Sequence, residues 1–183
     1  LEVKLRTFNI SRKSLVALLI LCVLVVAGIF AINFLSVNRP EPTPTPSADD
    51  LQAASAVIAG VKAFFNINYQ EGKDTWLNRF CSTSSEAGCL FARSGSTALW
   101  KRFVDMKTVT TAEVTPLEKV KQTADEQVWR VSIKLSAPLP SSEKTTDEAY
   151  ASAIREKAVW KFDRFLLDPE IQALKQLGKG NNQ

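Results

Sequence analysis

The chain is expected to be an α+β protein built from one transmembrane helix, a proline-rich linker, and then N-terminal helices packed on a curved antiparallel sheet. Three features of its 183 residues point there. Residues 14–35 carry no charge, apolar residues recur at three- and four-residue spacing from Leu51 to Tyr69, and residues 127–135 alternate apolar with polar. These patterns belong to a membrane span, an amphipathic helix and a half-buried strand respectively.

The uncharged run starts at Ser14 and ends at Leu35, with Asn33 as its one strongly polar interruption. About 20 residues suffice to cross the hydrocarbon core at 1.5 Å per residue, and a helix satisfies its own backbone hydrogen bonds there. The run exceeds the h-region of a secretory signal and no A-x-A-like cleavage site follows it. Cys22 stands behind Leu19-Ile20-Leu21, whereas bacterial lipidation needs a small residue just before the cysteine. Lys4, Arg6, Arg12 and Lys13 precede the run, opposed by Glu2. By the positive-inside rule these four are topology determinants. The expectation is a single-pass, bitopic protein of the cell membrane, with residues 1–13 as a cytoplasmic basic tip and the bulk extracytoplasmic.

Residues 36–48 form the linker, in which Pro40, Pro42, Pro44 and Pro46 alternate with other residues. Proline fixes φ and restricts its predecessor, so the segment is expected to be extended and to span about 25–30 Å. The domain itself is placed at residues 49–174, with residues 175–183 as a flexible tail. Ser47, Asp49 and Asp50 offer N-caps for a helix carrying Leu51, Ala54, Ile58, Val61, Phe65 and Tyr69 on one stripe. A short helix is expected around Asp74, Trp76, Leu77 and Phe80, and a third from near Ser96 through Leu99, Trp100, Phe103 and Met106.

The period then changes. Thr- and Val-rich residues 109–120, a turn at residues 123–126 and the alternating residues 127–135 predict an antiparallel hairpin, with Pro116 at a bulge or facing away from a ladder partner. Residues 136–150 are polar and proline-containing, and read as a long loop with a short helix near residues 148–156. Ala158, Trp160 and Phe162 alternate in a further strand that Asp168-Pro169 closes.

The helix over residues 51–69, the Trp76 and Trp100 helices, the Trp129 strand and Ala158-Val159-Trp160-Lys161-Phe162-Asp163 together resemble the nuclear transport factor 2-like, or cystatin-like, cone. The resemblance covers residues 49–174. A single span followed by such a domain is similar to assembly-factor subunits of type IV secretion and conjugation machines, and to mammalian-cell-entry-associated membrane proteins. It implies helices covering one face of a curved sheet, and a cavity inside the cone. Some relatives of that fold are isomerases or dehydratases that use an aspartate and a tyrosine there. In this chain Tyr69, Asp74, Asp105 and Asp163 stand in no recognisable motif and read as capping or surface residues.

Charge and residue inventory narrow the function. The calculated pI is near 9.0, yet from Ala48 onward 18 basic residues face 17 acidic ones. The excess sits in the N-terminal tip, so no nucleic-acid partner is expected and membrane lipid is the expected neighbour. There is no histidine, which removes the usual general base and the usual metal ligand. No phosphate-binding loop or dinucleotide fingerprint is present, so neither cofactor nor metal is expected. Cys81 and Cys89 bracket a short polar loop and are expected to form a disulfide, with two free buried cysteines as the alternative. Trp76, Trp100, Trp129 and Trp160 read as core, with an aromatic ligand cage as the alternative.

The leading functional expectation is a non-enzymatic structural or assembly subunit of a membrane complex, of secretion or conjugation kind. Its domain would meet other protein subunits, or itself, through the sheet face or an exposed strand edge. Two alternatives stand beside it: a small apolar ligand or lipid held by the cone, and an accessory subunit of a bioenergetic or photosynthetic complex that packs through Gly28 and Ala31.

Overall fold

The first helix, α1 (Ala48–Phe65), begins in a capping box. Ser47 Oγ accepts from the Asp50 amide at 3.1 Å and Asp50 Oδ2 accepts from the Ser47 amide at 3.3 Å, which satisfies donors that no earlier turn could use. The computed structural model describes residues 46–140 and 142–180. The face that α1 buries is Ala53, Ala54, Val57, Gly60 and Val61, about one position away from the stripe expected from spacing. Leu51 is correspondingly 57% exposed. The helix also stops at Phe65 rather than at Tyr69, because the next residues are claimed by other partners. Asn66 Oδ1 accepts from the Ala112 amide at 2.8 Å, and β1 (Ile67–Asn68) pairs antiparallel with β2 (Val109–Thr110). Tyr69–Glu71 then form a 3-10 turn.

Two helices follow, α2 (Lys73–Thr83) and α3 (Glu86–Asp105). The third helix thus starts ten residues before the expected Ser96. Its apolar periodicity is weak over residues 86–95, and the signal was the cap: Ser85 Oγ accepts from the Gly88 amide at 2.9 Å. Trp76, Leu77, Trp100 and Phe103 of these helices join Ile67 in one apolar cluster.

The sheet is an antiparallel meander, β3 (Ala112–Gln122), β4 (Glu126–Leu135), β5 (Thr146–Glu156) and β6 (Val159–Phe165), in spatial order β3-β4-β5-β6. The expected bulge is present, since the β3–β4 register shifts between Pro116 and Glu118 and again between Lys119 and Lys121. The expected loop over residues 136–150 and helix near residues 148–156 are corrected: β5 occupies Thr146–Glu156. Alanine and glutamate favour helix, but Ala151 and Ala153 are fully buried under α1, where only small side chains let the helix come close. Lys157 and Ala158 form the β5–β6 turn at φ 50° and 68°, a left-handed conformation usually left to glycine or asparagine.

One sheet face carries Val131, Ile133, Ala151, Ala153, Trp160 and Phe162 against α1. At Gly60 a Cβ would lie 2.1 Å from Phe162 Cγ, so the absence of a side chain there sets the helix–sheet distance. On the opposite face Val128 and Ser152 are buried as well. There α4 (Asp168–Gly180) folds back, placing Lys175 Nζ 5.9 Å from the Tyr150 ring centroid. This helix replaces most of the tail expected from residue 175 onward. Glu170 starts it, accepting from the Leu167 amide at 2.9 Å.

The expected membrane architecture is corrected. Among the described residues no helix is long and apolar enough to cross a membrane. The fold described is α+β, four helices with antiparallel sheets, and the single-pass anchor, its membrane localisation and its topology find no support in it. The expected span from Ser14 to Leu35, the determinants Lys4, Arg6, Arg12 and Lys13, the linker up to residue 45, and Gly28 and Ala31 lie outside the described residues.

Candidate functional site

Four groups of side chains could carry function, and three of them fasten the fold. The first is at the start of α1, where adjacent carboxylates reach opposite halves of the sheet. Asp50 Oδ1 accepts from Lys119 Nζ at 2.6 Å and from the buried Gln127 amide at 3.0 Å. Asp49 Oδ1 accepts from Trp160 Nε1 at 2.8 Å and from Arg155, whose guanidinium lies 4.8 Å from the Trp160 ring centroid. Lys119, aided by the Ser47 contacts, holds the Asp50 carboxyl below the usual carboxylate range. All of these donors end on side chains of the fold.

The second group surrounds the disulfide. Cys81 and Cys89 are joined, with Cα atoms 4.8 Å apart, so the end of α2 is tied to the first turn of α3. Between them the chain turns inward. Ser85 donates its amide to the Phe162 carbonyl and its hydroxyl to Asp163 Oδ1, both at 2.6 Å. Gly88 packs so tightly that a Cβ would meet the Asp163 carbonyl oxygen at 2.2 Å. The outer edge of β6 is thereby covered at Phe162 and Asp163 by residues 84–88, with Ser84 bridged to Phe162.

The third group is a set of ion pairs. Arg79 forks onto Glu71 at 2.7 and 2.8 Å and also donates to the Asn66 carbonyl. Arg130 joins Glu148 and Glu118 across the sheet. Arg164 forks onto Glu170, with both bonds at 2.8 Å, and holds that carboxyl down at about 2. The guanidinium groups of Arg79, Arg130 and Arg164 are raised by Glu71, Glu148 and Glu170 respectively. Every displaced titration in the described residues thus belongs to a pair that joins two structural segments.

The fourth group is a surface. At the open end of the helix–sheet layer, Phe65 from α1, Ile133 and Leu135 from β4 and Phe165 from β6 line a cavity of about 290 Å³. Phe65 and Phe165 form its aromatic wall, with ring centroids 5.8 Å apart, and Phe64 packs behind both at 5.1 and 5.4 Å. A second cavity of about 320 Å³ lies against Met106, Val109 and Pro138. A third, of about 80 Å³, lies against Ile67, Leu99 and Phe103. Leu139, in the β4–β5 connection, is a wall of all three. Met106 and Val109 are 62% and 54% exposed. Arg102 and Lys144 are among the charged lining residues.

Of the residues singled out from sequence, Cys81 and Cys89 come together. Tyr69, Asp74, Asp105 and Asp163 do not. Asp105 pairs with Lys101 at 2.7 Å, Asp163 takes the Ser85 hydroxyl, and Asp74 lies in the first turn of α2. Tyr69 accepts from Gln70 at 3.3 Å, and no hydrogen bond joins any two of the four among the described residues. Trp76, Trp100 and Trp160 are buried and Trp129 is half-buried, each in or against an apolar cluster. No set of three or more acidic, cysteine or histidine side chains is placed to hold a metal among the described residues. The groove around Leu139 escaped sequence reading because its walls come from five separate segments. No protein-family model matches the chain, and no curated protein matches its sequence.

Proposed function

We propose that the domain is a non-enzymatic protein-binding module, a structural or assembly subunit of the kind found in secretion or conjugation complexes, and that its groove around Leu139 takes apolar side chains of a partner protein. The observation that carries this reading is the run of cavities sharing Leu139, with apolar walls from Phe65, Ile133, Leu135 and Phe165 facing a polar rim at residues 142–148, and with exposed Met106 and Val109 at its border. The ion pairs support it too, because their charged groups are spent on the fold, and Glu148, which also lines the groove, is held there by Arg130. Strand addition is the weaker mode. The β6 edge is blocked at its middle by Ser84 and Ser85 on Phe162, and the β3 edge is broken by Pro116, two register shifts and charged Glu113, Glu118 and Lys121. The long helix over a four-stranded antiparallel meander favours the cone-fold resemblance, which we keep as part of this proposal.

A second reading is that the same groove holds a small apolar ligand, favoured by the aromatic wall of Phe65 and Phe165. Cavities of this size stand at the low end of ligand pockets, about 300–1,000 Å³, and suit side chains better than a lipid. Affinity purification with wild type and L139D separates the two. Loss of a specific protein partner in L139D supports the module. An unchanged partner set, with an apolar molecule released from wild type in native mass spectrometry, overturns it.

A further inference from the structure

The helix α3 turns one face to solvent along its length, and that face lies away from the groove. By helical spacing Ala87, Ser94, Ala98 and Lys101 follow its centre, and all four are exposed. Leu90 and Phe91 stand to either side, 62% and 78% exposed, among the most exposed large apolar residues described. At Gly95 an added Cβ would meet nothing within 4 Å and no positive φ is required, so the isolated domain has no use for a glycine there.

We propose that this face pairs with the same face of a second copy of the chain, the two α3 helices running antiparallel about a two-fold axis near Ser94 and Gly95. Three observations select a second copy as the occupant. The face ends in Glu86 at its N-terminal end and in Lys101, with Asp105 one turn on, at its C-terminal end. Antiparallel pairing therefore brings opposite charges together twice, and opposes the two helix dipoles favourably. Among the described residues Glu86 has no ion-pair partner within the domain, and Lys101 meets only the exposed Asp105, a pair that yields readily to a second carboxylate. In that register Phe91 lies over Ala98 of the other copy, beside the open space at Gly95, so a large knob meets a small-residue hollow. The disulfide and the seat of Gly88 against Asp163 hold this end of α3 in place, so little order is lost on pairing.

Sedimentation velocity of the full chain over a dilution series, to about 1 mM, tests the pairing. Wild type is expected to pass from monomer to dimer. F91D should raise the dissociation constant at least about tenfold, and E86K about threefold. E86K/K101E should return it toward wild type, because only antiparallel pairing sets these two positions face to face. All are surface substitutions, and circular dichroism confirms that each folds. L139D should leave the dimer unchanged, which keeps this test independent of the groove. A wild-type chain that stays monomeric throughout overturns the proposal. So does a dimer indifferent to F91D, or Phe91 protected from hydroxyl-radical labelling in the monomer, which would mean that another part of the chain covers the face.

Discussion

The two helical glycines Gly60 and Gly95 should respond to the same substitution with opposite signs. At Gly95 a methyl group enters open space, so Gly95→Ala gains only the helix propensity, about 1 kcal/mol in dilute solution. At Gly60 the same methyl would lie 2.1 and 2.2 Å from Phe162 Cγ and Cβ, where ordinary contacts are 3.4–4 Å. Those atoms sit next to the β6 backbone, so no flexible tip can swing aside. The ring itself is wedged edge-on against Phe80 and Phe165, with centroids 5.7 and 5.3 Å away. Either α1 lifts off the sheet by more than about 1 Å or the aromatic cluster repacks, and such overpacking costs about 1–3 kcal/mol and occasionally more. An overlap this deep against backbone-anchored atoms belongs at the upper end of that range, so after the propensity gain Gly60→Ala should lose about 2 kcal/mol, a large part of the 5–15 kcal/mol that holds a typical domain. Urea unfolding followed by tryptophan fluorescence would read both variants. The melting temperature should fall by about 4–8 °C for Gly60→Ala and rise by about 2–4 °C for Gly95→Ala. Phe162→Leu in the Gly60→Ala background should recover part of the loss, with a coupling of about 1 kcal/mol or more between the two sites. A Gly60→Ala domain as stable as wild type would refute the close helix–sheet seat.

Acid should loosen α4 early. Glu170 is held at about 2, below its usual 4.5, so the unfolded chain binds more protons between those values, and the stabilisation present above pH 4.5 is lost as pH falls toward 2. Amide exchange in α4 should accelerate over that window, and Glu170→Gln should remove the pH dependence of this helix. Asp50 is lowered as well, so the α1 end should follow the same sign. Replacing both cysteines by serine should cost about 2.5 kcal/mol by loop-closure entropy for a sequence separation of 8, measured by urea titration against the oxidised protein. Ala158→Gly should raise stability by about 1 kcal/mol by relieving the left-handed turn at φ 68°, and a neutral or destabilising result would argue against that turn.

Local patterns were legible where a residue acts on its own neighbours. The Ser47 cap, the β4 alternation, the bulge beside Pro116 and the Cys81–Cys89 bridge each depend on a few adjacent side chains, so the sequence determined them. The strand β5 was not legible, because alanine and glutamate favour helix in isolation and only the underside of α1 makes small residues at 151 and 153 the right ones for a strand. The start of α3 offered little beyond its Ser85 cap, since the apolar period is weak there and Ser85 and Gly88 are seated on Asp163, 75 or more positions away. The groove is tertiary in the same sense: Phe65, Leu135, Leu139 and Phe165 have no relation along the chain, and become one surface only when the meander closes over α1. Composition and spacing thus decide which segments can form and what chemistry the chain lacks. Which faces are covered, and which remain for a partner, depends on contacts whose free energy is gained only after distant segments have met.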